Sequence, residues 1–303
     1  MVSLITQVKS KLFINSSRTS MHALDGAFAS LLHGRSLDFQ DLRKYEFGDQ
    51  VRDIDWRATA RLGTPLVKRL RATRMHTVLF AVDTGRSMTA LAHDEQPKKD
   101  LAILATGVLG YLTLRHGDDF STVHGDASRI QRLAPGRSEG ALNHALRTIS
   151  TAVDNSTAAS DRHALLSFIT RTISRRMIVV IVTDEAPLTA DTERLLRRLR
   201  VQHEVLWITL SDADPVLSTA STGIRRDVDS QWDVPDFMQG DLDIVRELAA
   251  RNAADAAHRN ETLTRLAISH TVLHGQDEAI AQLLRLLHQT LNLSRGRRPH
   301  ARY

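Results

Sequence analysis

Two carboxylates stand where chemistry can be done. Asp83 closes the apolar run HTVLFAVD and is followed by Thr84-Gly85-Arg86-Ser87-Met88, and Asp184 closes the run RMIVVIVTD. Near-continuous apolar runs are strands buried on both faces of a parallel sheet. In such a sheet, ligands sit outside the carboxyl ends of the strands, where successive helices diverge. Asp83, Ser87 and Asp184 can therefore meet in one crevice. Their oxygens suit a hard cation, magnesium or manganese, which keeps several waters or takes a ligand from a partner. The same residues also suit two quieter roles: polar strand ends that cap helices or bond loop amides, or a metal-free interaction surface.

A second set is Leu42-Arg43-Lys44-Tyr45-Glu46-Phe47-Gly48-Asp49, Arg52-Asp53-Ile54-Asp55-Trp56 and Ala58-Thr59-Ala60-Arg61. At strand spacing Asp53, Asp55 and Arg57 share one face and Ile54 and Trp56 the other, so charges pair on one side and apolar groups pack on the other. Asp53 and Asp55 with Lys68 faintly resemble a metal nuclease, but carboxylates beside arginines are the material of ion-pair networks. His270 and His274 can share a strand face, yet lack a third ligand.

Other chemistries are excluded by what is missing. The 303 residues contain no Cys, which removes disulfides, thiolate catalysis and sulfur-ligated metals. There is no G-x-S-x-G, H-E-x-x-H, Walker A or dinucleotide fingerprint, so the expectation is a non-enzyme. The chain is 42% hydrophobic and 25% charged, the composition of a folded globular protein.

The elements that must position these residues alternate between short β-rich runs and helical stretches, which predicts an α/β fold with a mainly parallel sheet. Strands are expected at His76–Asp83, Phe120–His124, Arg176–Asp184, Glu204–Leu210 and Thr271–His274, with an antiparallel edge at Ser128–Leu133. Helices are expected at Lys98–His116, Ser138–Thr151, Asp161–Arg175, Asp191–Arg200, Asp241–Ser269 and Asp277–Leu293. Asp154–Ser160 reads as a polar linker. The most apolar helix, around Leu101–Leu114, is too short to span a bilayer, which takes about 20 residues, and reads as a core helix. Before it, residues 1–75 read as a small basic module: an amphipathic stretch to about His33, then short antiparallel strands separated by Gly34, Gly48-Asp49 and Gly63-Thr64-Pro65. The expected division is thus 1–75, an α/β domain over 76–293, and a tail over 294–303.

Charge is segmented in the same way. Residues 1–74 hold 13 basic and 7 acidic side chains, the tail adds Arg295, Arg297, Arg298 and Arg302, and residues 75–294 hold 23 basic and 28 acidic groups. Basic ends can attract nucleic acid, an acidic membrane surface or an acidic protein. Few aromatics interleave with the basic residues, which disfavours base stacking and leaves nonspecific phosphate binding as the alternative function. The amino terminus, interrupted by Lys9 and Lys11, does not read as a signal peptide, so the expected location is cytoplasmic.

Two resemblances sharpen these readings. The Asp83 and Asp184 segments are similar to the metal-ion-dependent adhesion site of von Willebrand factor type A domains, whose pattern is Asp-x-Ser-x-Ser, a Thr from a second loop and an Asp from a third. Asp83 matches the first carboxylate, Ser87 the second serine and Asp184 the third-loop carboxylate. Gly85 stands at the first serine, and Ser138, in PGRSEG, is the nearest substitute for the threonine. The earlier string, from Arg43 to Arg61, resembles the bacterial domain of unknown function fifty-eight family. The family hallmark is Arg-x-Tyr-x-x-Gly-Asp and Arg-x-Ile-Asp-Trp-x-x-Thr-Ala-Arg, joined to a von Willebrand type A-like fold, and the specific likeness covers about Gly34 to Asp126.

The resemblance implies a chaperone-like adaptor that works with a MoxR-type AAA+ ATPase or its client. Where members carry membrane helices this chain has none, which leaves peripheral membrane association. A magnesium or manganese site at Asp83, Ser87 and Asp184 would then be completed by a partner carboxylate. Arg43, Asp49, Arg52, Asp55, Trp56 and Arg61 are expected to hold the front module against the α/β domain, and Tyr45, Gly48 and Thr59 complete the structural motif.

Overall fold

The structure, a computed structural model, describes residues 3–14, 18–33, 39–49, 51, 54–70, 77–216, 225–228, 230–235, 238 and 240–295. The front of the chain divides in two. Helices α1 (Leu4–Ile14) and α2 (Arg18–His33) bury Ile5, Val8, Leu12, Leu24, Phe28 and Leu32 in the main hydrophobic core. After them β1 (Phe39–Lys44) and β2 (Leu66–Leu70) pair antiparallel as a separate two-stranded sheet, with the short helix α3 (Trp56–Leu62) between them. Ile54 keeps extended backbone, bridging Val67 antiparallel, but from Trp56 the expected strand spacing gives way to a helix. Asp55 caps it, its carboxylate accepting from the Arg57 and Ala58 N–H groups, and Gly63 ends it at φ 69°, the left-handed conformation glycine adopts freely.

The second sheet carries the expected α/β architecture. In chain order its elements are β3 (Thr77–Asp83), α4 (Lys98–Arg115), β4 (Asp119–Gly125), β5 (Ile130–Arg132), α5 (Glu139–Asp154), α6 (Arg162–Thr172), β6 (Ile178–Thr183), α7 (Ala190–Gln202), β7 (Glu204–Leu210), α8 (Leu242–Arg265), β8 (Ser269–Leu273) and α9 (Gln276–Arg295). Among the described residues six strands run in the order β5-β4-β3-β6-β7-β8, parallel except for the antiparallel edge β5. From β3 the chain moves outward to β4 in one direction and resumes at β6 in the other, so the strand order reverses between β3 and β6. That reversal opens a crevice at their carboxyl ends. This is a mainly parallel, Rossmann-like sheet. The long helix predicted to Ser269 stops at Arg265. Ala267 turns the chain at φ 52°, and β8 starts two residues earlier than predicted.

Alternation along the central strands builds two cores. Val78, Phe80, Val82, Ile178, Val180 and Val182 face the core that α1, α2, α4, α5 and α9 cover, whereas Leu79, Ala81, Val179 and Ile181 face α6, α7 and the end of α8. Helix α4 is buried almost all round, as its composition predicts. Its glycines set the contacts: a Cβ on Gly107 would lie 2.7 Å from Val8 of α1, and one on Gly110 would lie 2.6 Å from Leu142 of α5. At both positions the missing side chain lets Val8 and Leu142 pack directly on the α4 backbone. No helix among the described residues is long and apolar enough to cross a membrane.

Candidate functional site

Asp83 and Asp184 do meet. Asp83 is the last residue of β3, Asp184 follows the last residue of β6, and both are buried. Ser87 joins them from the short 3-10 turn Arg86–Thr89. A hydroxyl that sequence reasoning missed completes the group: Ser160, from the segment read as a linker. Ala158 O accepts from Arg86 N–H at 2.9 Å and Ala159 O from Ala127 N–H at 3.0 Å, which draws the segment into the crevice. There Ser160 Oγ lies 2.6 Å from Ser87 Oγ.

A second unforeseen residue is Arg162, in the first turn of α6 behind the Asp161 cap. Its guanidinium is buried and makes three directed bonds: Nη2 to Asp184 Oδ1 at 2.6 Å, Nε to Thr183 Oγ1 at 3.1 Å and Nη1 to the Ala186 carbonyl at 2.9 Å. It also lies 5.4 Å from the centre of the Trp207 ring. Two further buried cations stand close by. Lys98 Nζ donates to the Ser87 carbonyl at 3.3 Å and pairs with Asp212; Arg259, from α8, donates to the Glu185 carbonyl at 2.9 Å and lies 3.6 Å from its carboxylate. The only sequence signal for any of them was an Arg directly after a predicted helix cap.

The two carboxylates are driven apart by these surroundings. Asp83 Oδ1 accepts from Gly85 N–H at 2.8 Å, whereas Oδ2 is buried without a hydrogen bond of normal length. Burial, then the negative charge of Asp184, push the Asp83 carboxyl up to about 7, and the Gly85 N–H, the Ser160 hydroxyl and Arg162 counter this only in part. Burial also works against Asp184, but the Arg162 charge, the Ser87 hydroxyl and Lys98 outweigh it and hold Asp184 below the usual carboxylate range. Near neutral pH the site therefore holds one firmly ionised carboxylate, paired with Arg162, and one carboxyl that readily keeps its proton.

The remaining predicted residues lie elsewhere. Ser138 caps α5, accepting from Ala141 N–H at 3.2 Å. The neighbouring Gly136 bridges Phe120 at the amino end of β4, whereas the crevice lies beside Gly125 at its carboxyl end, so the structure does not bring Ser138 to Asp83. His270 Nδ1 lies 3.1 Å from the Ile268 carbonyl, and the His274 ring lies against His93. No group of three or more His, Cys, Asp or Glu side chains with metal-site geometry occurs among the described residues.

The second set of residues holds its own hairpin together. Arg43 pairs with Asp49 and with Glu46, Asp49 accepts from Glu46 N–H, and Gly48 takes φ 106° in the turn between. Tyr45 N–H donates to Pro65 O, Asp55 N–H to Leu66 O, and Thr59 Oγ1 accepts from Leu66 N–H. These bonds tie residues 43–66 to one another. Arg61 lies in the last turn of α3, and Arg52 and Asp53 are outside the described residues. Beside exposed charges the hairpin shows apolar groups to water: Tyr45, Phe47, Val51, Trp56 and Leu62 are half of the ten large apolar side chains exposed among the described residues. Several front-end cations are already paired within the chain, Lys9 with Glu139, Lys11 with Gln276 and Arg43 with Asp49.

The family described as Protein of unknown function DUF58 matches residues 41–218, which span both the hairpin and the crevice. Uncharacterized proteins of Mycobacterium tuberculosis and Mycobacterium bovis are each 29% identical over 219 residues, 67% of this chain and 67% of theirs. Among solved structures, an aerotolerance-related membrane protein from Bacteroides fragilis, with multiple mutations to serines, is similar over 70% of this chain and 98% of that one (14% identity, TM-score 0.44). A von Willebrand factor type A protein from Catenulispora acidiphila is similar over 73% of this chain and 43% of that one (10% identity, TM-score 0.38).

Proposed function

This chain belongs to the Protein of unknown function DUF58 family, and on that premise we propose that it is a non-enzymatic interaction protein whose signature hairpin grips a MoxR-type AAA+ ATPase engaged in assembling a client. One observation carries the reading: the exposure of Phe47, which is fully in water, together with Trp56 at 62% and Leu62 at 69%. Soluble proteins rarely gather large apolar groups on the surface without a use, and tryptophan, tyrosine and their neighbours supply most of the energy at protein interfaces. The exposed Lys44 and Arg57 beside them suit a partner with acidic groups around an apolar centre. Such an ATPase is met in the cytoplasm, the compartment we propose for this chain.

The test is a titration of the purified MoxR-type ATPase of the same organism against the full chain, with Phe47→Ala/Trp56→Ala as the comparison. The double variant keeps the wild-type melting temperature, because neither side chain is buried, and binds at least about tenfold more weakly. Equal affinity of the two chains, or no saturable binding of the wild type, would reject the reading. Binding to duplex DNA that falls steeply with salt would favour the nucleic-acid alternative.

A further inference from the structure

The crevice has the outline of a divalent-cation site, and the residues in it do not fit the ion. The first serine of the adhesion-site pattern is replaced by Gly85, and the space its side chain would need is filled. A Cβ on Gly85 would lie 2.4 Å from Ser160 Cα, 2.5 Å from Ser160 N and 2.5 Å from Ser160 Oγ. The two hydroxyls at hand, Ser87 and Ser160, are within bonding distance of each other. Asp184 Oδ1 is already engaged, accepting from Arg162 and from Ala186 N–H.

We infer that this is a metal-free form of the site, in which Arg162 supplies from within the chain the positive charge that a magnesium ion would bring, and Ser160 occupies the place of the missing serine. Arginine suits the task because its planar fork meets a carboxylate and two further oxygens at fixed angles and stays charged. All three of its nitrogens are bonded, so it is held as firmly as an ion would be. Four carboxylates, Asp83, Asp184, Glu185 and Asp212, face three cations, Lys98, Arg162 and Arg259. Adding a dication to this set places it against a buried guanidinium at low effective dielectric, where like charges repel strongly. Magnesium also requires near-octahedral oxygens, whereas Asp184 Oδ1 is already bonded by Arg162 and Ala186 N–H, and Asp83 Oδ1 by Gly85 N–H. Contact between this face and a partner therefore needs no divalent metal, and a partner carboxylate gains nothing from docking there.

The decisive experiment titrates manganese into the chelator-treated full chain, following free manganese by electron paramagnetic resonance, and repeats it with magnesium by calorimetry. No saturable binding is expected in the millimolar range. Saturable one-to-one binding that Asp83→Ala abolishes would overturn the inference. Replacing the internal cation gives an independent check. Arg162→Ala leaves Asp184 buried without its partner and lowers the melting temperature by roughly 10 °C, while Arg162→Lys retains part of the loss. Millimolar magnesium then raises the melting temperature of Arg162→Ala and leaves the wild type unmoved. A wild-type melting temperature that rises with magnesium as much as the variant's would equally overturn it. These readouts involve no ATPase and stand whether or not the hairpin proposal holds.

Discussion

Where β3 and β6 end, the chain encloses charge and turns it inward; between residues 45 and 62 it leaves apolar surface facing water. In the crevice three carboxylates are answered by another part of the same polypeptide: Asp184 by Arg162, Asp212 by Lys98, Glu185 by Arg259. On the hairpin the ionic pair Arg43–Asp49 is local, and Phe47, Trp56 and Leu62 have no cover. Buried ions that are fully answered fix a conformation at little net gain in free energy. Exposed aromatics do nothing for folding and gain only when a partner removes them from water. The likeness to an adhesion site draws attention to the crevice, but the energetics draw it to the hairpin.

Three substitutions press on this contrast. The largest effect is expected from Gly85→Ser, which restores the adhesion-site pattern and drives a Cβ into the Ser160 backbone. It should lower stability by about 1–3 kcal/mol, read as a fall in the urea midpoint at unchanged slope. A variant as stable as the wild type would mean that the Ser160 segment yields and that the crevice can be reopened.

Next comes the pH dependence of Asp83→Asn. In the folded chain Asp83 titrates at about 7, above its ordinary 3.8, so the folded state holds the proton more tightly than the unfolded one. The contribution of Asp83 is then fully present below the ordinary value and is lost as pH rises through the folded one. Asparagine removes that loss. Denaturation curves at pH 5, 6 and 7 should show the variant gaining on the wild type by at most about 1.4 kcal/mol per pH unit. A constant difference would place Asp83 outside the charge network.

The smallest effect is expected from Asp55→Ala. Loss of this cap should cost α3 about 1 kcal/mol, visible as faster hydrogen exchange in α3 with β3 amides unchanged. An equal fall in β3 protection would join the hairpin to the α/β unit and erase the contrast.

The sheet was readable because strands buried on both faces leave near-continuous apolar runs, and its mainly parallel sense follows from the alternation of those runs with helices. The convergence of Asp83, Ser87 and Asp184 followed from strand ends alone. Ser160 and Arg162 were not readable: the small polar residues before Ser160 look like a linker until their carbonyls are seen bonding Arg86 and Ala127. Arg162 is one arginine among many until burial distinguishes it. The misread segment was Ile54–Arg61, where alternation outweighed a helical signature that was present, an Asp cap eight residues before a Gly that ends the helix. The seating of α1 depended on Gly107 of α4, far along the chain from the Val8 it meets, and no local pattern reveals such a fit.

That fit bears on the order in which the protein can assemble. Helix α2 packs against α9, whose first residue is also bonded by Lys11 of α1. At translation speeds of roughly 5–20 residues per second, α2 leaves the ribosome on the order of tens of seconds before α9 is made. Through that interval the apolar faces of α1 and α2 have only part of their final cover, so the nascent chain is most exposed to wrong partners before its last helix arrives.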